Sequence, residues 1–206
     1  MSKREDRAPA AARPLRRDAE LNRRRILRAG REVFAERGLQ ATLNDVAHHA
    51  GLGVGTVYRK FPDKQALAEA VFVEELDEIA GMARAGLDEG DAFAALARFL
   101  EDALARAAHN RGLREVMRRG GMDGDGLARA RQEIERHCTD LVAKARAQGT
   151  LRAGITEADI APIAAMIDAV MTLPGDRPPG LWRRYLEIIL YGIHAGTPPP
   201  PAEGDA

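Results

Sequence analysis

The sequence predicts an all-α protein of about nine helices, a small three-helix head followed by a larger helical body. Three observations predict this. Apolar residues recur at helical spacing, i, i+3, i+4 and i+7, in one segment after another. Gly and Pro, 20 and 11 in number, mostly punctuate these segments. No stretch shows the two-residue alternation of a half-buried strand.

Residues 1–19 are rich in Ala, Pro and Arg and are expected to form a disordered basic arm. A first helix is expected from about Asn22 to Gly38, with Ile26, Leu27, Val33 and Phe34 inward. Leu43, Val46, Ala47 and Ala50 form the apolar stripe of a second helix, with the Thr42 hydroxyl placed to cap it. Gly51 ends that helix, because a left-handed terminal residue is cheap only without a Cβ. Val54, Val57 and Phe61 make the stripe of a third helix of barely two turns. Its other faces carry Gly55, Thr56, Tyr58, Arg59 and Lys60. Pro62 and Asp63 then open a long helix through Leu67, Val71 and Leu76 to about Arg84.

The head therefore spans 20–66, its linking helix continuing to about 85, and the body spans 67–196. In the body, Asp91 to Ala108 places Phe93, Leu96, Phe99, Leu100 and Leu104 on one face. A short helix from Asn110 to Arg119 and a long one from about Gly126 to Gln148 follow. Thr156 and Asp159 resemble a capping box with Asp for Glu. Pro162 within the helix they open calls for a kink or a late start. Leu181 to His194 is the last helix, and the Pro-rich tail 197–206 is not expected to pack.

Net charge is zero but unevenly spread. From Met1 to Ala66 there are 15 Lys and Arg against 8 Asp and Glu, a charge of +7; the remainder carries −7. A basic first third on an acidic remainder suits a nucleic-acid-binding head on another kind of domain. No run of 18 apolar residues is present, so no membrane span or membrane partner is expected. The N-terminus lacks the apolar segment of a signal peptide, and the lone Cys138 fits a reducing cytoplasm. GxSxG, Walker, HExxH and dinucleotide fingerprints are absent, so no enzyme, no catalytic residue and no cofactor is expected. His48 and His49 point about 100° apart on a helix and share an ion poorly, so no metal site is expected.

Two short helices joined by a three-residue turn make a helix-turn-helix, whose second helix enters the DNA major groove. Ala47, Gly51 and Val57 stand at the helix crossing, the turn and the buried face. The flanks add the run RRRILRAGREVFAERGLQATLNDVA, the pairs Val46-Ala47 and Ala50-Gly51, and VGTVYRKFPDKQALAEAVF. On these residues, from Asp18 to Val73, the chain resembles the TetR family of bacterial transcriptional regulators. Val57 departs from a usual Leu and Lys60 from a common His, the second bearing on base preference.

The side chains assign Thr42, Tyr58 and Lys64 to phosphates, and Thr56, Arg59 and Lys60 to base edges, with Gly55 a gap for close approach. Arg59 can grip a guanine bidentately, worth about 1–3 kcal/mol of discrimination. Arg13, Arg16 and Arg17 of the arm can add electrostatic contacts. The last two helices are apolar on most of their circumference and need cover from two sides. The resemblance implies a homodimer built through them, here by Ile163, Ile167, Trp182, Tyr185, Leu186, Ile189 and Ile193, reading an inverted-repeat operator. It also implies a small-molecule effector pocket in the body, for which Phe93, Phe99, Met117, Met122, His137, Met166 and Met171 are the candidates. The expected function is a ligand-released transcriptional repressor. The alternative is a helical small-molecule carrier whose head no longer serves DNA.

Overall fold

A computed structural model describes residues 12–119 and 124–196. Within them nine helices follow one another: α1 Ala12–Arg37, α2 Leu43–Ala50, α3 Val54–Lys60, α4 Lys64–Gly86, α5 Ala92–Ala108, α6 Arg111–Arg119, α7 Asp125–Ala147, α8 Ile160–Met171 and α9 Leu181–Ile193. Short 3-10 turns, Gly38–Gln40 and Glu157–Asp159, precede α2 and α8. The one extended pairing among the described residues is an isolated antiparallel bridge between Leu151 and His194. The fold is all α.

One boundary differs from expectation, and a second takes one of its two expected forms. Helix α1 begins at Ala12 rather than near Asn22, so part of the segment read as a disordered arm is helical. Ala, Leu, Arg and Glu are strong helix formers, and Pro14 lies in the first turn, where a missing N–H costs nothing. Helix α8 takes the late start: it begins at Ile160, after the 3-10 turn, which puts Pro162 in its first turn. The capping box ahead of it is formed, with Thr156 N–H donating to Asp159 Oδ2 at 2.8 Å.

One apolar cluster runs from head to body. Ile26, Val33 and Phe34 of α1, Val46 of α2, Val57 of α3 and Leu67, Phe72 and Leu76 of α4 are almost fully buried in it. Leu96, Leu113, Leu127, Leu141 and Ile167 continue it through the body. The rings of Phe34 and Phe72, 5.8 Å apart, tie α1 to α4. Each face so buried contributes roughly 25 cal/mol per Å² of apolar surface removed from water.

Helix α6 is pressed against the head. At Gly112 a Cβ would lie 2.6 Å from Phe72 Cζ and 2.9 Å from Phe34 O, so only glycine permits this approach. Three residues on, the buried Glu115 carboxylate accepts the Leu39 N–H at 2.8 Å and Arg111 Nε at 3.1 Å. The far end of the body is tied by Lys144 Nζ, which donates to Leu87 O and Glu89 O at 2.7 Å.

Helices α8 and α9 pack on each other and on α5. Along α9, Trp182, Leu186 and Ile193 turn inward, while Tyr185, Ile188 and Tyr191 are 44–55% exposed. Met166 of α8 and Leu173 just beyond it are also exposed. Among the described residues no helix is long and apolar enough to cross a membrane.

Candidate nucleic-acid interface

The site is built on a well-capped α2. Thr42 Oγ1 accepts the Asp45 N–H at 3.2 Å and donates to Asp45 Oδ2 at 2.7 Å, while the Thr42 N–H donates to the same oxygen at 2.8 Å. The hydroxyl hydrogen bond first, then the backbone one, holds the Asp45 carboxyl below its ordinary range; Arg37, 2.8 Å away, adds to this. The Thr42 hydroxyl thus forms the expected cap. Gly51 closes the helix at φ 61°, its N–H directed to the Ala47 and His48 carbonyls. Arg25 Nη2 donates to the Ala50 carbonyl at 3.0 Å, fixing the turn against α1.

Helix α3 then crosses α2 over the fully buried Ala47 and Val57. Its outward face carries Tyr58, Arg59 and Lys60, all exposed, with Thr56 half-buried beside them. Arg59 Nη2 donates to Thr56 Oγ1 at 3.2 Å, which holds the guanidinium along the helix. An added Cβ at Gly55 would meet nothing within 4 Å, so the helix surface is open there. Phe61 ends the helix inward, under the guanidinium of Arg23 at 5.4 Å. Lys64 Nζ donates to the Leu39 carbonyl at 2.5 Å, and Asp63 caps α4 through the Ala66 N–H at 2.8 Å. Thr42, Gly55, Thr56, Tyr58, Arg59, Lys60 and Lys64 thus belong to one helix-turn-helix and its exit.

One expectation fails here. Val54, read with Val57 and Phe61 as an inward stripe, is 44% exposed. It is the first residue of α3, at the edge of the core that Val57 and Phe61 enter.

The body does not bring the effector candidates together. Phe99 is a core residue, and Phe93 is half-buried with its ring 4.4 Å from that of His194. Met117 and Met166 are exposed, Met171 packs half-buried on the core, and Met122 lies outside the described residues. His137 is buried on α7, its Nε2 3.4 Å from Arg136 Nη2; its Nδ1 is sealed and has no hydrogen-bond partner among the described residues. Two clefts, of about 270 and 310 Å³, are lined by other residues. The first holds Arg31, Glu75, Glu78, Arg106, Asn110 and Leu113; the second lies beside Arg37, Asp45, His48 and His49. Among the described residues no group of three or more His, Cys, Asp or Glu could hold a metal ion.

The dimer candidates divide. Ile163, Ile167, Trp182, Leu186 and Ile193 are buried in the protomer's own core, a correction to the sequence reading. Tyr185 is exposed and Ile189 half-buried. The exposed large apolar side chains of these two helices are Met166 of α8 and Tyr185, Ile188 and Tyr191 of α9.

Residues 26–71 match the model of bacterial regulatory proteins of the tetR family. Residues 91–195 match the C-terminal domain model of SbtR-like transcriptional regulators. A TetR transcriptional regulator from Streptomyces coelicolor superposes with a TM-score of 0.60 at 30% identity, covering 85% of this chain and 99% of that one. A TetR regulatory protein from Mycobacterium vanbaalenii gives 0.56 at 32% identity, covering 88% and 99%. An HTH-type transcriptional regulator of Staphylococcus aureus is 39% identical over 64 residues, 31% of this chain and 35% of that relative, so only about a third of the curated relative's length is matched.

Proposed function

This chain belongs to the TetR family of bacterial regulatory proteins, whose matched members are transcriptional regulators rather than enzymes, and from that premise we propose that it is a sequence-specific DNA-binding repressor working as a homodimer in the cytoplasm. The observation that carries the proposal is the outer face of α3. Tyr58, Arg59 and Lys60 stand exposed on a two-turn helix held from behind by the buried Val57, with open space at Gly55. A solvated surface needs no such rigid support. A helix inserted in a groove does, because base contacts are lost with small misplacements.

One recognition helix reads only a few base pairs, so a two-fold dimer on an inverted repeat is the natural reader. The exposed apolar face of Met166, Tyr185, Ile188 and Tyr191 supports dimerisation through α8 and α9, since such a face is costly in water. The third part of the proposal is a small-molecule effector in the body. It releases DNA only to the extent that it binds the DNA-incompetent dimer better.

Selection of bound sequences from a random double-stranded DNA pool tests the reading. An enriched inverted repeat occupied by two protomers supports it. Only salt-sensitive, sequence-indifferent binding by folded protein contradicts it.

A further inference from the structure

We propose that Val54 contacts the 5-methyl group of a thymine in each half-site and so acts as a specificity-determining residue. The proposal rests on the regulator reading above and adds a base and an atom to it.

Val54 sits three residues before the fully buried Val57, yet nearly half of its surface faces solvent. A single exposed valine is ordinary on any surface. This one has company. Tyr58, one turn further along the same helix, is 47% exposed, and the two define an apolar strip beside Thr56, Arg59 and Lys60. Gly53 and Gly55 flank Val54, and a Cβ built at either meets nothing within 4 Å. The isopropyl group therefore stands at the leading end of α3 with bare backbone on both sides.

The chemistry selects the partner. Valine neither donates nor accepts a hydrogen bond. In the major groove the base edges present donors and acceptors, and the thymine 5-methyl is the apolar group among them. Over any other base, Val54 would strip water from a polar edge and return nothing. Over thymine it buries two apolar surfaces at once. Arg59 then supplies a polar contact from the same face and Val54 an apolar one.

The test uses the full-length protein and the repeat enriched from random DNA. Each thymine is replaced singly by uracil, which keeps every hydrogen bond and removes only the methyl. Wild type should bind about three- to fourfold more weakly for uracil at one such position, the magnitude of one buried methyl group, and roughly tenfold or more when both positions of the symmetric pair carry it. Val54→Ala should fold with an unchanged melting temperature and bind thymine and uracil duplexes alike at that pair. Equal binding of thymine and uracil at every position by wild type would overturn the proposal. So would a uracil penalty that persists in Val54→Ala, since another residue would then read the methyl. Enrichment of no sequence at all would overturn the regulator reading and this proposal together; an enriched repeat indifferent to uracil overturns this proposal alone.

Discussion

The carboxylate of Glu115, on α6 of the body, accepts the backbone N–H of Leu39 at 2.8 Å, although 76 residues separate the two. Lys64 Nζ holds the carbonyl of the same residue at 2.5 Å. The turn between α1 and α2 is thus gripped from the body on one side and from the start of α4 on the other. Replacing Glu115 with Ala leaves the half-buried Leu39 N–H without its carboxylate and should cost about 1–3 kcal/mol in urea unfolding. Gly38→Ala should cost more, since Gly38 lies at φ +65° and its Cβ would come 2.6 Å from Glu115 Oε1. Made on the Glu115→Ala background, the same change should cost only the backbone strain, about 1–2 kcal/mol. A double-mutant cycle in urea reads the difference directly.

Glu75 gives a pH signature. Burial raises its carboxyl above the usual 4.5, against the opposing charge of Arg31, and the nearby Glu78 pushes it further up. Asn110 Nδ2 donates to it at 2.9 Å, a bond a glutamine can still accept. A raised folded-state value means that the contribution is fully present below the unfolded value and is lost as pH rises through the folded one. Glu75→Gln should therefore gain on wild type as pH rises through the carboxylate range and hold a constant advantage above it. Urea midpoints measured across that range would show the widening gap.

The two faces of α9 should respond oppositely. Ile188, 55% exposed, becomes charged in Ile188→Asp, which should give a folded monomer by sedimentation with weakened operator binding. Leu186, 2% exposed, leaves a cavity in Leu186→Ala and should lose about 2–5 kcal/mol of stability in urea unfolding.

Cys138 is not placed to sense oxidants. Burial, with a smaller push from Glu135, raises its thiol to about 12, so thiolate is scarce at neutral pH. Native protein should resist iodoacetamide, and one equivalent should react after unfolding.

The head was legible because its signals are local. Thr42, Gly51, Pro62 and Asp63 mark helix ends within a few residues of the backbone groups they satisfy, and Ala47 and Val57 mark the crossing. Val54 was misread because two turns give periodicity too little length to settle the first residue. In α9, apolar residues surround the helix, so composition named them all without dividing Trp182 and Leu186 from Tyr185 and Ile188. Glu115 is the single acidic residue of the basic helix α6. The one local hint is its place between the buried Leu113 and Val116, and its partner is set by tertiary packing. The effector candidates share only residue type, which carries no information about which helix faces meet.

The most direct test of the central claim, that the outer face of α3 reads bases, is the binding preference selected from random DNA by wild type, Arg59→Ala and Lys64→Ala. Arg59→Ala should relax preference at one symmetric pair of positions, while Lys64→Ala should weaken binding to all sequences alike and lower the salt slope by about one unit per half-site contact. An unchanged preference in Arg59→Ala together with an altered one in Lys64→Ala would contradict the account.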